Sequence, residues 1–170
     1  PVASDLALSL SASTLVNSGS GSITATAIAV DANRNALAGI PVAISVDSNA
    51  VAKVNEKVTN DGGAVVADVS IGSDRSNRVV TVTATSGGLT RTSTFQVVGA
   101  TLTSTLVPPV VEPGKAGQIK YRLVDNVGGR MVSQTIQVVA PGLVPAEVTG
   151  TTDAKGEFLF AYTAPLTTGT

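Results

Sequence analysis

Short runs of alternating apolar and polar residues follow one another along this chain. Leu6, Leu8 and Leu10 alternate with Ala7, Ser9 and Ser11, and Val42, Ile44 and Val46 alternate with Ala43 and Ser45. Val65, Ala67, Val69 and Ile71 share one parity, as do Val80, Val82 and Ala84. The stretch from Leu89 to Val98 continues the pattern and ends on Phe95 and Val97. A period of two marks a strand with one buried face. Turn-forming clusters of Gly, Asn, Asp and Ser separate the runs at residues 17–21, 31–39, 60–63, 72–77 and 86–88. No stretch carries a 3.6-residue apolar period with helix caps, so a parallel α/β fold does not fit. The spacing predicts an all-β sandwich.

The pattern also repeats. Val30-Asp31 returns as Val124-Asp125, and at the same shift of 94 residues Leu8 falls on Leu102, Leu37 on Met131 and Val42 on Ile136. The turn Thr59-Asn60-Asp61-Gly62-Gly63 is matched by Thr152-Asp153-Ala154-Lys155-Gly156 at a shift of 93. A near-constant period over separate strands and turns predicts two copies of one immunoglobulin-like sandwich, a domain type of about 100 residues. The expected boundaries are 1–99 and 100–170. Only Gly99-Ala100 separates the last apolar run of the first copy from Thr101-Leu102, which is expected to restrict bending and give a semi-rigid rod. Counterparts of residues 79–98 would fall beyond Thr170, so the second copy is expected to lack its last two strands. Another chain or a strand swap could fill that gap. The chain starts at Pro1 without a signal peptide and reads as a piece of a longer protein.

Composition narrows the chemistry. Hydrophobic residues are 43%, enough for a core, but they are mainly Val, Ala, Leu and Ile. Val and Ile, with many Thr and Ser, favour pleated strands. Net charge is −1 and no Lys/Arg run exists, which argues against nucleic-acid partners. Cysteine and histidine are absent. That removes disulfides, thiolate chemistry, the commonest general base and the commonest catalytic metal ligand. No apolar run reaches the roughly 18–20 residues of a membrane-spanning helix, so no direct membrane insertion of this segment is expected.

The segment Ala29-Val30-Asp31-Ala32-Asn33-Arg34-Asn35-Ala36-Leu37-Ala38-Gly39-Ile40-Pro41-Val42 resembles the V-x-D-x-x-G-N-x-V-x-G-x-x-V motif of group 1 bacterial Ig-like domains. These domains occur in the intimin/invasin family of outer-membrane adhesins. Asn60-Asp61-Gly62-Gly63-Ala64 resembles their turn motif, and residues 78–85 resemble their late R-x-V-T-V-T-A-T strand. The second copy keeps Asp125 and the turn glycines Gly128 and Gly129 but has Ser133 in place of Gly39. The resemblance implies a stalk or spacer segment of a bacterial cell-surface adhesin, stacked on neighbouring Ig-like domains and anchored to the outer membrane through other parts.

Residues that could carry chemistry mostly have a plainer role. Asp31 and Asp125 could offer oxygen ligands to calcium, as could Asp5, Asp47 and Asp74, but a calcium site gathers several carboxylates and these stand apart. Turn-forming roles explain them better. Asp61-Gly62-Gly63 and Val127-Gly128-Gly129 open no helix and carry no Lys-Ser/Thr ending, so hairpin turns fit better than phosphate loops. Serine and threonine have no histidine to activate them, and no strand–turn–helix nucleophile elbow exists; Lys53, Lys57, Lys115, Lys120 or Lys155 leave a Ser/Lys pair formally open. Tyr121, Phe158, Phe160 and Tyr162 could form a sugar platform, but Phe158, Phe160 and Tyr162 share one strand face and Tyr121 shares another with Ile119 and Leu123, which points to core positions. Pro41, Pro108-Pro109 and Pro113-Gly114 are expected to guard strand edges. The expectation is therefore no enzyme, no cofactor, and no catalytic, cofactor-binding or metal residue. The alternatives are a module that binds a host protein or glycan through its loops, and an accessory domain of a large extracellular enzyme.

Overall fold

A computed structural model describes residues 2–19 and 21–166. The described residues form thirteen β-strands and no helix. The chain divides into two compact units, Pro1–Val98 and Gly99–Thr170.

The first unit contains β1 (Asp5–Leu10), β2 (Thr14–Val16), β3 (Ile23–Val30), β4 (Ala43–Val46), β5 (Val51–Val54), β6 (Ala64–Ser70), β7 (Arg78–Ser86) and β8 (Leu89–Val98). One sheet has the order β1-β3-β6-β5 and the other β2-β8-β7-β4. The first strand region changes sheets at residues 11–13. The Ser11 hydroxyl accepts the Thr24 amide at 2.9 Å as the ladder to β3 ends, and the Ser13 carbonyl accepts the Gln96 amide at 2.9 Å as pairing with β8 begins. β2 then runs parallel to β8. The core lies between the sheets, where Leu6, Val65 and Val69 meet Val80, Val82, Phe95 and Val97. The inward positions of β3 are Ile23, Ala25, Ala27 and Ala29, all buried. Small alanines there leave room for the larger residues opposite.

The second unit contains β9 (Thr101–Val107), β10 (Ala116–Val124), β11 (Thr135–Val139), β12 (Glu147–Thr151) and β13 (Glu157–Thr163). β13, β10 and β9 form one sheet in that order, and β11 pairs with β12. Its core is built from larger residues than the first: Leu123, Met131, Ile136, Val138, Phe160 and Tyr162. The Phe160 and Tyr162 rings stack with centroids 5.9 Å apart. Gly117 makes this possible, because a Cβ there would lie 2.7 Å from the Tyr162 ring.

Strand pairing corrects one detail of the repeat. Leu102 lies opposite Leu123, the position that Leu6 takes opposite Ala29 in the first unit. Leu102 is therefore the counterpart of Leu6, two residues from the sequence match with Leu8. The turns keep the sequence shift. Gly63 and Gly156 both have φ of 72°. Arg34 has φ of 67° where Gly128 has 80°, and Ser133 has φ of 57° where Gly39 has 72°.

Two copies thus need the same left-handed turns, and each fills one of them with a residue whose Cβ is strained there. Arg34→Gly and Ser133→Gly are each expected to stabilise their unit by about 0.5–1 kcal/mol, the Cβ strain relieved less the added freedom of the unfolded chain. Urea unfolding midpoints check this. The ion pair that Arg34 gives up is 3.7 Å long on a side chain that is mostly exposed, so it offsets little.

Candidate functional site

The polar residues singled out by the sequence are brought together in two places, one per unit, and both are backbone scaffolds. In the loop after β3, Asp31 Oδ1 accepts the amides of Asn33 and Asn35, each at 2.8 Å, while Oδ2 accepts the Asn35 side-chain amide at 3.0 Å. The loop closes on itself through Asp31 N–H to the Asn35 carbonyl at 2.9 Å. In the loop after β10, Asp125 Oδ1 accepts the amides of Val127 at 3.0 Å and Gly129 at 2.7 Å. Gly129 lies so close that a Cβ would sit 2.5 Å from Asp125 Oδ2. These are Asx turns, in which a short carboxylate substitutes for a backbone acceptor.

A second pair of turns repeats the device. Asn60 Oδ1 accepts the amides of Gly62 and Ala64, each at 3.0 Å. Asp153 Oδ1 accepts those of Lys155 at 2.8 Å and Glu157 at 2.9 Å. The residue before each turn carries a buried hydroxyl. Thr59 Oγ1 donates to the Leu37 carbonyl at 2.5 Å and accepts the Ile40 amide at 2.9 Å. Thr152 Oγ1 donates to the Met131 carbonyl at 2.6 Å and accepts the Gln134 amide at 2.9 Å. Each threonine thereby clasps the long loop leading into β4 or β11. The repeated turn is visible in the sequence, but this hydroxyl is not, because its partners lie about twenty residues away.

The other acidic candidates are engaged locally. Asp47 accepts the Thr81 amide at 2.7 Å. Asp74 accepts the Ser76 amide and hydroxyl at 2.9 and 2.7 Å and lies 3.5 Å from Arg78. Asp5 on β1 pairs with Arg91 on β8 at 2.5 Å, joining the two sheets. Hydrogen bonds from the Asn35 side chain and backbone hold the Asp31 carboxyl below its usual range, and the Thr81 amide does the same for Asp47. The Glu157 and Lys155 amides lower Asp153. Burial raises Asp74, but hydrogen bonds from Ser76 and the Arg78 charge leave it lowered on balance. Each of these carboxylates is favoured in its charged, accepting form. Among the described residues no three His, Cys, Asp or Glu side chains gather where they could hold a metal ion.

The sequence also did not reveal the role of Arg78. Its side chain is largely buried and its guanidinium donates to the carbonyls of Ser48, Asp74, Ser76 and Ile71 at 2.8, 2.6, 3.0 and 2.6 Å. One planar donor group fastens the 47–49 and 71–77 loops together. Nearby, Asn17 and Arg75 exchange side-chain to backbone hydrogen bonds, each at 2.8 Å.

Phe160 and Tyr162 lie in the core, and Tyr121 and Phe158 pack against it half-buried. The Asp61-Gly62-Gly63 and Val127-Gly128-Gly129 amides that a phosphate would need are partly spent on Asn60 and Asp125. Lys120 pairs with Glu157 at 3.6 Å. Pro41 precedes β4, the edge strand of its sheet. An open, mostly apolar groove of about 760 Å³ runs beside that edge, between Ile44, Val54 and the turn at Gly88-Leu89. Among the described residues that line it, Lys57 is the one charged side chain, beside the hydroxyl residues Thr85, Ser86 and Thr90.

No family model and no curated protein matches the sequence. Solved structures do match. Invasin, a bacterial integrin-binding protein, aligns with 96% of this chain and 34% of its own length, with a TM-score of 0.56 and 20% identity. The adhesin InvE of Yersinia pseudotuberculosis aligns with 95% of this chain and 51% of its own, with a TM-score of 0.62 and 18% identity. The chain therefore spans between a third and about half of these two structures. At such identities the likeness is one of fold: the chain is an all-β protein with the Ig-like sandwich architecture found in these bacterial adhesins.

Proposed function

We propose that the chain is a structural spacer segment of a bacterial cell-surface adhesin, non-enzymatic and extracellular, which holds a binding region of its parent away from the cell. The observation that carries this reading is the duplicated scaffold. The Asx turns, the threonine clasp and the left-handed turn positions are built twice, with only two residues between β8 and β9. Polar groups that could have served chemistry are spent on fixing loops, which suits a module selected for stiffness. The fold shared with invasin and InvE supports the adhesin setting. Its expected neighbours are further Ig-like domains of the parent. Small-angle scattering tests the spacer role. A compact 170-residue globule has a radius of gyration of about 15–16 Å. The expected value lies well above that, with the long-tailed distance distribution of a rod. A compact profile, or the broad distribution of a freely hinged pair, would overturn it.

A second reading, a module that binds a host protein or glycan, is favoured by one feature: the apolar groove beside β4.

A further inference from the structure

β4 is an edge of its sheet, and its backbone shows which groups that edge leaves open. Residues of an antiparallel strand turn their N–H and C=O groups alternately towards and away from the neighbouring strand. Asp47 N–H donates to the Thr81 carbonyl of β7 at 3.2 Å. In the same register Ser45 lies opposite Thr83 and Ala43 opposite Thr85. These three therefore face β7, while Val42, Ile44 and Val46 turn their backbone groups away. The Val42 N–H is taken by the Lys57 carbonyl at 3.1 Å, and Pro41 bridges to Val58. The outward groups of Ile44 and Val46 have no partner among the described residues. The open edge is thus short. Lys57 closes it at one end and the 47–49 turn at the other. Its ends also carry opposite charge. Lys57 and Asp47 are both exposed, and Lys57 makes no ion pair among the described residues.

An edge with one positive and one negative end is complementary to itself when laid antiparallel, the condition for a two-fold interface. We propose that two copies of this chain pair through β4, edge to edge across a two-fold axis. Pairing centred on Ser45 sets Ile44 opposite the partner's Val46 and Val46 opposite the partner's Ile44. About four backbone hydrogen bonds form, which satisfy the open groups of both edges. No other register engages both residues. Centring on Ile44 brings Val46 to the partner's Val42, whose amide is already held. Centring on Val46 brings Ile44 to the partner's turn. The Ser45 register also carries each Lys57 towards the partner's Asp47, because Lys57 adjoins Val42 and the partner's Asp47 lies opposite Ala43. The closed ends limit the contact to one partner and one register, unlike the open-ended association that long bare edges invite. Pairing does not rest on the spacer reading. Where copies are held on one surface, their effective concentration favours it.

The chain has no cysteine, so introduced thiols report the register directly. Ser45 and Ala43 are both exposed, and a cysteine fits at either. In Ser45→Cys the two thiols meet across the axis, at a pair whose Cα atoms lie about 4.5 Å apart, within disulfide reach. In Ala43→Cys they are four residues out of step, about 13 Å apart. The full chain is oxidised at one concentration, and each rate is corrected for the thiol's reactivity towards a small reagent. Ser45→Cys is expected to crosslink about tenfold faster than Ala43→Cys, or more. Lys57→Glu in the Ser45→Cys background sets like charges together and should slow crosslinking about threefold or more. Equal rates for the two cysteine variants, or faster crosslinking of Ala43→Cys, overturn the proposal and leave the edge to an unlike strand. A Ser45→Cys rate that Lys57→Glu leaves unchanged overturns it as well, since the charged ends would then not meet.

Discussion

Replacing Thr59 with valine is expected to remove about 2–4 kcal/mol of stability from the first unit. Valine matches threonine in shape, so packing changes little and the loss falls on hydrogen bonding. The hydroxyl serves the Leu37 carbonyl at 2.5 Å and the Ile40 amide at 2.9 Å, and Thr59 is itself buried. Deleting it strands the buried Ile40 amide and the partly buried Leu37 carbonyl, at about 1–3 kcal/mol each. For a unit of this size that corresponds to a melting temperature lower by about 10–20 °C. Thr59→Ser keeps the hydroxyl and should cost about 1 kcal/mol or less, mostly for the lost methyl. Thermal and urea unfolding of the two variants decide the matter. Equal stability of the valine and serine variants would show that the clasp contributes nothing. The same pair at Thr152 should reproduce the result in the second unit, since its oxygen makes the same two bonds.

Gly63→Ala is the other large effect. Gly63 has φ of 72°, where a Cβ costs about 1–2 kcal/mol. That Cβ would also lie 2.8 Å from Ala36 Cβ, 3.0 Å from the Leu37 nitrogen and 3.1 Å from the Ala29 carbonyl oxygen. Two of these neighbours are backbone, held by the Ala29 amide bond to the Gly63 carbonyl and the Leu37 amide bond to Ala29, both 2.9 Å. They can yield only if the loop is displaced, so the expected total is about 2–4 kcal/mol. Gly39 provides the control. It has the same φ of 72° but open space around its Cβ position. Gly39→Ala should therefore show the backbone cost alone. Denaturation midpoints that fall equally for both variants would refute the steric part of the account.

These residues also show what the sequence could and could not disclose. β1, β4, β6, β7 and β8 are legible because bulky apolar residues alternate with polar ones. β3 is not, since its buried parity is Ala25, Ala27 and Ala29 while Ile28 and Val30 sit on the half-buried face. Contrast, not period, fails there. β2 is three residues long and pairs in parallel with the far end of its unit, which no local pattern marks. The repeat was visible, yet it aligned Leu102 with Leu8, because a period-two pattern looks the same after a slip of two. Only the pairing opposite Ala29 and Leu123 fixes the register.

The turns were the most legible part of the candidate site. Asp31 and Asp125 act within four residues of themselves, so their chemistry is written locally. Thr59, Thr152 and Arg78 act on carbonyls and amides brought near by the fold, and a backbone partner has no residue type to recognise.

Binding of the purified protein to host-cell surfaces and to a glycan panel, with and without calcium, tests the central claim most directly. A spacer shows no saturable binding in either condition, which places recognition elsewhere in the parent. Saturable binding that a charged substitution at Ile44 in the β4 groove abolishes would contradict the account and make this chain an adhesive module.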